Sequence, residues 1–303
     1  MHAIAGAGFG LYGYLPAIAG GRGGTVVLPE SSRARLAARP ELARFLPAVR
    51  WAPDLDAAFA QARVAVIAVP PAEQPALVER CLRHPGLEAL VLEKPVAATP
   101  EEAREVLESI ARAGRRCRVG YTLLETDWAK AICAEPSDEP WSIEWSFLAH
   151  HLAKGVDTWK RHHDRGGGAL RFYGIHLVAL LAGMGYREAI HSSIEGAEPG
   201  HPDRWRATLS GPGVGNCTVS VDSRAPTTAF RITRGAAGAR SPRVHLADPF
   251  DAPPAPGGID RRVAILERLL ANLEEPDAPH HALQAEAQRL WERIEAVTAA
   301  GAR

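Results

Sequence analysis

Short apolar runs alternate with amphipathic stretches along the first part of the chain. The apolar runs occupy residues 3–5, 25–28, 64–69, 89–92 and 118–121. Uninterrupted runs of this kind are typical of strands that are buried on both faces, as in a parallel sheet. Between them, helical patterns cover residues 11–18, 71–83 and 99–113. This alternation predicts an α/β fold with a doubly wound parallel sheet, a Rossmann-type domain, over residues 1–122.

Beyond residue 122 the pattern changes to alternating polar and apolar positions, which is typical of strands with one exposed face. Such alternation covers residues 142–147, 204–210, 216–221 and 229–233. Helical patterns begin near Thr126 and cover residues 169–181, 260–273 and 281–300, while the proline- and glycine-rich residues 248–258 predict a loop. We therefore expect an α+β domain at 123–303 with an open, mainly antiparallel sheet, and its terminal helices could pack back on the first domain.

Composition narrows the classes of function. The 303 residues include 35 Lys plus Arg and 35 Asp plus Glu, so the chain has no bulk attraction to nucleic acid or to an anionic membrane. No apolar run is long enough to cross a bilayer, and the first residues resemble a strand more than a signal peptide. The four cysteines lack paired spacing and are expected to be free thiols. These features favour a cytoplasmic protein with a small-molecule substrate.

A glycine-rich loop follows the first predicted strand. The sequence there reads GAGFGL, with Gly6, Gly8 and Gly10 before a helical stretch. Such glycines let the backbone approach a pyrophosphate, and the N-terminus of the following helix supplies amide donors. The spacing departs from G-x-G-x-x-G because Leu11 holds the third glycine position, so a purely structural turn is the alternative. We predict a dinucleotide site here that also includes Phe9 and Leu11.

The end of the second predicted strand holds the residues expected to select the cofactor. Glu30 can accept a hydrogen bond from the ribose 2′-hydroxyl of NAD. Ser31, Ser32 and Arg33 can instead bind the 2′-phosphate of NADP. The alternative is a capped helix start with exposed charges. We slightly favour NADP, because Pro29 can turn Glu30 away and an arginine is the usual partner of a phosphate.

Two further strand ends carry candidate cofactor ligands, because the carboxyl ends of parallel strands meet at one edge of the sheet. Val69 and Pro70 follow one apolar run and can form a flat wall beside the dinucleotide, or they can simply start the next helix. Glu93 and Lys94, followed by Pro95, stand directly after another run. A lysine at this edge can hydrogen-bond a substrate oxygen or the nicotinamide ribose, whereas an isolated lysine–proline pair is usually a solvated loop.

A triple glycine and a histidine mark the second half of the chain. Residues 166–176 read GGGALRFYGIH, and helical spacing predicts that Phe172, Tyr173 and His176 share one face. An imidazole can exchange protons near neutral pH. A lone histidine on an apolar helix is nevertheless more often a core residue, and that interpretation stays open here.

Together these features resemble the glucose–fructose oxidoreductase and inositol dehydrogenase family (Gfo/Idh/MocA). The resemblance rests on the glycine loop, on VPP, EKP and VGY at three strand ends, and on the triple glycine with its histidine. It implies a Rossmann domain followed by an α+β domain with a large open sheet. It also implies a tightly held NAD(H) or NADP(H), homodimers or homotetramers made through that sheet, and oxidation or reduction of a sugar or cyclitol carbon.

The resemblance assigns roles to individual residues. Lys94 and His176 fall on the family's catalytic lysine and histidine. The carboxylate that the family carries four residues before this histidine is Phe172 here, and Ala179 replaces a second frequent aspartate. Tyr173 is therefore the nearest alternative proton donor.

The same resemblance places the loop before the triple glycine at the substrate pocket. Lys160, His163 and Asp164 are therefore candidates for substrate contacts, together with Tyr121 and Phe172, although solvated loop residues are the alternative for the first three. Several histidine pairs also occur, but adjacent histidines on a strand point to opposite faces, so no metal site is expected.

The leading interpretation is an NAD(P)-dependent oxidoreductase that transfers a hydride to or from a hydroxyl or keto carbon of a sugar-like or cyclitol-like molecule. Two alternatives stay open. A retained cofactor could serve an epimerase or eliminase that carries out no net redox reaction. A catalytically lapsed protein could instead bind the dinucleotide as a sensor or partner subunit. The replacements at Phe172 and Ala179 keep both alternatives in view.

Overall fold

The computed structural model describes residues 1–21, 23–135, 137–235, 242–252 and 256–301. The chain forms two compact units. The first comprises Met1–Ala97, Glu102–Thr122 and Ala252–His281. The second comprises Ala98–Glu101, Leu123–Asp251 and Ala282–Arg303. Of the loop predicted over residues 248–258, residues 253–255 lie outside the described part of the chain.

The first unit is built on a parallel sheet. Its strands are β1 (His2–Ala5), β2 (Val26–Pro29), β3 (Val49–Ala52), β4 (Val64–Ile67), β5 (Ala89–Leu92) and β6 (Arg116–Val119). Their order in the sheet is β3-β2-β1-β4-β5-β6, and each neighbouring pair is parallel. This is the order of a dinucleotide-binding sheet whose ligand crevice lies at the switch between β1 and β4. The predicted Rossmann-type α/β fold is confirmed.

One strand of this sheet has no counterpart among the apolar runs. The sequence of β3 is VRWA, and within it only Ala52 is buried. Because β3 lies at the edge of the sheet, Arg50 is tolerated there, and it interrupts the continuous apolar pattern that marks the central strands.

The second unit carries the other sheet. Its strands are β7 (Trp141–Leu148), β8 (Glu188–Glu195), β9 (Arg204–Gly211), β10 (Val214–Asp222), β11 (Arg224–Arg234) and β12 (Pro242–Leu246). Their order is β12-β11-β7-β10-β9-β8, in which β7 and β10 are parallel and the other neighbours are antiparallel. The predicted open, mainly antiparallel sheet is confirmed. The edge strands β8 and β12 are not among the predicted strands: β8 lacks a regular alternation, and β12 alternates over only five residues.

Helices complete both units. They are α1 (Arg33–Ala37), α2 (Leu55–Ala60), α3 (Gln74–Leu82), α4 (Pro100–Arg112), α5 (Asp127–Cys133), α6 (His150–Ala153), α7 (Ile175–Gly183), α8 (Val263–Ala271) and α9 (Asp277–Gly301). Wide turns of the π type occupy Gly10–Tyr14 and Ala17–Gly21 after β1, and Ala169–Gly174 before α7. Within the described residues, no helix is both long and apolar enough to cross a membrane.

A buried arginine ties the late part of the chain to the first sheet. The side chain of Arg118 on β6 is 1% exposed, and it donates to the carboxylate of Asp277 at 2.7 Å. It also donates to the main-chain carbonyls of Asn272 and Glu275 at 2.6 and 3.1 Å. A buried guanidinium needs such a full set of partners, so this cluster fixes the segment that follows α8 within the first unit.

Candidate active site

The three glycines of the loop after β1 have different surroundings. Gly6 has a φ of +123°, and a Cβ there would lie 2.2 Å from the carbonyl oxygen of Ala68. A Cβ on Gly10 would lie 2.8 Å from Cγ2 of Ile4. These two glycines therefore allow the chain to turn and the first helical turn to pack closely on the strands. A Cβ on Gly8, in contrast, would have no atom of the described residues within 4 Å, so Gly8 faces open space within that part of the chain.

The two apolar residues of this loop are held in different ways. Leu11 is fully buried in the hydrophobic core, and its N–H donates to the carbonyl of Gly8 at 3.0 Å. The ring of Phe9 lies under the guanidinium of Arg262, which is 4.3 Å from the ring centroid. Asp260 holds this arginine through two side-chain hydrogen bonds of 2.9 Å. A cation is thus fixed against the glycine loop.

Hydrogen bonds extend the sheet beyond the strand ends and bring the predicted cofactor residues to one edge. The N–H of Ala68 donates to Ala5, that of Glu93 to Ile67, and that of Gly120 to Leu92, at 2.8 to 2.9 Å. The segments gathered at this carboxyl edge hold Gly6, Val69, Pro70, Glu93, Lys94 and Tyr121. Val69 and Pro70 are half-buried, and Tyr121 is buried.

Glu93 is the centre of a buried polar cluster at this edge. The hydroxyl of Tyr14 donates to its carboxylate at 2.7 Å. Burial raises the pKa of Glu93, and the bond from Tyr14 and the charges of Lys94 and Arg262 partly offset this rise. A Cβ on Gly120 would lie 2.8 Å from the Glu93 carboxylate, so a glycine is required beside the pair.

A glutamine fixes the backbone around Lys94. The fully buried side chain of Gln74, at the start of α3, donates to the carbonyl of Glu93 at 2.9 Å and to that of Pro95 at 2.8 Å. Lys94 lies between these two anchored residues. Its main chain is therefore held while its ammonium contributes to the electrostatics of Glu93.

The candidate selector residues after β2 form an ion pair with each other. Arg33 donates to both carboxylate oxygens of Glu30, at 2.7 and 2.8 Å, and its guanidinium lies 4.1 Å from the ring centroid of Trp51. The bond from Arg33 lowers the pKa of Glu30, so the carboxylate stays ionised. Ser31 is exposed and Ser32 is buried. Glu30, the candidate partner of NAD, and Arg33, a candidate partner of NADP, thus form one exposed ion pair.

In the second unit, other parts of the chain occupy the space beside the triple glycine. Gly166 and Gly168 have φ values of +81° and +83°, which favour glycine. A Cβ on Gly167 would lie 2.3 Å from the carbonyl oxygen of Trp159, and a Cβ on Gly168 would lie 2.7 Å from the ring of Pro202. These glycines let the loop pack against neighbouring backbone.

The helix after the triple glycine brings together two of the three residues that the sequence places on one face, since the ring centroids of Phe172 and Tyr173 lie 4.7 Å apart, whereas His176 and Tyr173 have different neighbours. The turn Ala169–Gly174 is of the π type, in which hydrogen bonds join residues five apart, and the α-helical spacing used for the prediction does not hold across it. His176 is 3% exposed, and its ring centroid lies 5.6 Å from that of Phe250. Tyr173 points elsewhere, with its hydroxyl 3.5 Å from Nδ1 of His151 and its ring against Phe147.

The candidate residues before the triple glycine, Lys160, His163 and Asp164, also have different surroundings. The ammonium of Lys160 lies 5.1 Å from the ring centroid of Phe172. Nε2 of His163 lies 3.5 Å from the carboxylate of Glu295, which also accepts a 2.7 Å bond from Arg171. Burial alone would raise the pKa of Glu295, but the bonds from His163 and Arg171 outweigh it and lower that pKa to about 2. Asp164 is exposed.

The described part of the chain holds no cluster of three or more His, Cys, Asp or Glu side chains arranged to bind a metal ion. The four cysteines are thiols, and three of them are buried. Burial raises the pKa of Cys81 to about 12, which disfavours a thiolate.

The comparison with protein families bears on the first unit. Residues 2–121 match the Gfo/Idh/MocA model, described as an oxidoreductase family with an NAD-binding Rossmann fold. This match covers less than half of the chain, so it shows a similarity of the first part of the chain to that family. The expected family, an oxidoreductase with a nicotinamide cofactor of the NAD type, is thereby confirmed. A comparison with curated proteins finds no match.

Several solved structures superpose on nearly the whole chain. The WlbA dehydrogenase from Bordetella pertussis, solved with NADH and UDP-GlcNAcA, has a TM-score of 0.76 at 17% identity and covers 99% of this chain and 96% of its own. A myo-inositol dehydrogenase from Corynebacterium glutamicum has a TM-score of 0.70 at 15% identity, and the match covers 99% of this chain and 96% of the dehydrogenase. An oxidoreductase from Agrobacterium radiobacter was solved with NAD+, L-tartaric acid and magnesium. It has a TM-score of 0.70 at 16% identity, and the match covers 100% of this chain and 96% of the oxidoreductase. Similarities at this identity show the fold.

Several residues of this candidate site have no local signal in the sequence. Tyr14 and Gln74 reach Glu93 from other elements, and Arg262 reaches the glycine loop from the far end of the chain. Arg171 lies inside the motif after the triple glycine, but its partner Glu295 is 124 residues away. Only a contact map could have identified these four side chains.

Proposed function

We propose that this protein is an NAD(P)-dependent dehydrogenase that acts on a hydroxyl or keto carbon of a sugar-like or cyclitol-like molecule. The observation that carries the proposal is the glycine loop, in which Gly6 and Gly10 pack against protein and Gly8 faces open space. This is the arrangement that a bound pyrophosphate requires, and it stands at the switch point of the sheet. The substrate class is supported by similar structures described as a myo-inositol dehydrogenase and as a complex with UDP-GlcNAcA.

The carboxyl edge of the first sheet fits a dinucleotide. The amides at Gly8 and Phe9 would bind the pyrophosphate, with the charge of Arg262 close by. Val69 and Pro70 would form an apolar wall, and Glu93 would hold Lys94 in place. When bound, the nicotinamide supplies the hydride chemistry.

Two side chains are proposed to act on the substrate oxygen. Lys94 would stabilise negative charge on that oxygen through its ammonium. His176 would accept or return the proton, because an imidazole is the side chain best matched to proton transfer near neutral pH. The position of Tyr173 beside His151 makes it a weaker candidate for the same role. Tyr121, Lys160, His163, Asp164 and Phe172 remain proposed substrate contacts.

Assembly and location complete the proposal. We infer a homodimer or homotetramer made through the second sheet, on which Ile190 is 57% exposed and Leu148 is 48% exposed. Light scattering of the purified protein tests this inference. A cytoplasmic location stays a prediction.

The deciding experiment combines native mass spectrometry with a substrate screen. The protein is purified, its retained dinucleotide is identified by mass, and NAD(P)H absorbance is followed with sugar and cyclitol alcohols and ketones. Turnover with net production or consumption of NAD(P)H supports the dehydrogenase. A retained dinucleotide that stays unchanged while a substrate is converted would support an epimerase or eliminase instead. Dinucleotide binding without any conversion would support a sensor or partner subunit.

A further inference from the structure

A small cavity with a basic lining lies within the second unit. The side chains around it include Lys160, Arg161 and Arg224, together with His151 and His201. Its volume of about 10 Å³ is close to the space that one water-sized group needs. Arg224 is 41% exposed at its rim, so the cavity reaches solvent.

The lining is fixed by hydrogen bonds before any ligand binds. Glu198 accepts from Arg161 at 3.2 Å and is bonded to Nδ1 of His201 at 2.8 Å. Asp203 accepts from Arg224 at 2.6 Å. Arg161 and Arg224 are thus each paired with a carboxylate, and the imidazoles of His151 and His201 add ring nitrogens to the lining. The basic side chains of the cavity are therefore preorganised.

Arg161 retains a donor that the protein does not use. Its side chain is 14% exposed, and its Nε is buried without a hydrogen-bond partner among the described residues. The hydroxyl of Thr158, three residues earlier in the chain, is also buried without a hydrogen-bond partner among the described residues. A buried unsatisfied donor destabilises a fold, so a group that accepts from it would be bound favourably.

The state of His151 agrees with an excess of positive charge. Burial and the nearby charges of Lys160, Arg161 and His150 lower the pKa of His151 to about 4. Its ring also faces the hydroxyl of Tyr173. An anion placed in the cavity would oppose these charges and raise that pKa.

We propose that this cavity binds one oxygen of a carboxylate carried by the substrate, so that the substrate is a sugar acid or a related hydroxy acid. This inference rests on the proposed dehydrogenase function, because it names the substrate class. A guanidinium whose Nε–H has no partner among the described residues is well suited to a carboxylate, and Lys160 adds a second positive charge to the lining. The cavity admits a single anionic oxygen, while the rest of the molecule stays outside it.

The first test measures binding with the dinucleotide-loaded protein. D-glucuronate, D-glucose and inorganic phosphate are titrated while the imidazole resonances of His151 are followed by NMR. The groups that face this imidazole are Lys160, Arg161, His150 and Tyr173, and the cavity also holds His201, Asp203 and Arg224. We expect glucuronate to raise the pKa of His151 at a lower concentration than phosphate does, and we expect glucose to leave that pKa unchanged. A response to phosphate alone would overturn the assignment to a sugar acid.

Two variants and a control locate the effect. Arg161→Gln is expected to weaken glucuronate binding about tenfold or more, as the loss of a charged hydrogen bond does. Arg224→Gln, at the exposed rim, is the second variant in case the first does not fold. Arg206→Gln, on the exposed face of β9 and paired with Glu195, is the matched control and should bind as the wild type does. Equal weakening in the control would overturn the site.

Activity separates this inference from the proposed function. Turnover is compared for neutral and acidic substrates that differ only in the carboxylate. A preference for the acid that disappears in Arg161→Gln supports both proposals. Turnover of neutral substrates with an unresponsive His151 would overturn the carboxylate site and leave the dehydrogenase intact. A glucuronate response without any hydride transfer would keep the site and overturn the dehydrogenase.

Discussion

Two glycine-rich segments mark this chain, and they differ because the first contains a glycine that does not pack against other protein atoms. In the loop after β1, a Cβ on Gly8 would meet nothing within 4 Å. Before the helix of the second unit, a Cβ on Gly167 would lie 2.3 Å from a main-chain oxygen of the protein itself. A glycine beside open space leaves room for a ligand. A glycine whose Cβ position is occupied by neighbouring backbone allows two segments of the chain to pack closely. The sequence alone shows two similar motifs, and only the structure distinguishes a glycine that faces open space from glycines that pack against backbone.

We propose that the first glycine-rich segment binds the cofactor and that the helix after the second segment takes part in the substrate chemistry. If this proposal is correct, His176→Ala should lower kcat about 100-fold or more, the usual contribution of a general acid or base. Its Kd for the dinucleotide should stay close to that of the wild type. Tyr173→Phe should have a smaller effect, and Lys94→Ala should cost about tenfold in kcat/KM. Steady-state kinetics with the substrate found by screening, and fluorescence titration with NAD(P)H, measure these values.

Full turnover in His176→Ala would contradict this prediction. The histidine would then be a core residue beside Phe250, and the proton would be transferred by another group. A loss of dinucleotide affinity in the same variant would show instead that the second helix also serves the cofactor.

The same substitution at two glycines tests the comparison directly. Gly8→Val should fold with nearly the stability of the wild type, since its side chain enters open space, but it should bind NAD(P)H at least about tenfold more weakly. Gly167→Val should lower the free energy of unfolding by about 1–3 kcal/mol or more, as overpacking against rigid backbone does. Thermal unfolding and fluorescence titration are measured on both variants. Unchanged affinity in a folded Gly8→Val protein would remove the glycine loop from the site.

Much of the fold follows from the apolar pattern, because central parallel strands such as β4 and β5 are uninterrupted. The apolar pattern does not predict the edge strands β3 and β8, because β3 contains Arg50 and β8 is largely exposed. The candidate residues at the sheet edge are also predictable, because strand ends in a parallel sheet converge. What cannot be predicted is their support. The contacts of Tyr14 and Arg262 depend on long-range packing, and the π turn before α7 shifts Tyr173 away from the face expected for a regular helix.

The packing role of the second glycine segment depends on a buried ion pair, and this makes it sensitive to acid. Glu295 accepts from Arg171, which also donates to the carbonyl of His163 in the loop. The pKa of Glu295 is about 2 in the folded chain, against 4.5 for the free side chain. A lowered pKa means that the pair stabilises the fold above about pH 4.5 and that this stabilisation is lost as the pH falls towards 2.

Glu295→Gln should therefore flatten the fall in stability between pH 5 and pH 2, by about 3 kcal/mol at most. The free energy of unfolding is measured by urea titration at several pH values. Glu79→Gln, at a side chain that is 78% exposed, is the control and should keep the pH dependence of the wild type. Identical profiles for the wild type and Glu295→Gln would show that the pair does not hold the loop.

The smallest expected effect concerns the choice between NAD and NADP at the first segment. Glu30 and Arg33 are bonded to each other on the surface, so a 2′-phosphate has to draw Arg33 away from an ionised carboxylate, whereas a 2′-hydroxyl does not. Glu30→Ala should therefore strengthen NADP binding relative to NAD, and Arg33→Ala should weaken NADP binding alone. Each change should be at most about fivefold, because exposed ion pairs are screened by solvent. The ratio of Kd values for NADH and NADPH in the wild type tests the slight preference for NADP drawn from the sequence. Equal ratios in all three proteins would mean that neither residue contacts the ribose, and Trp51 would then hold Arg33 for a structural reason.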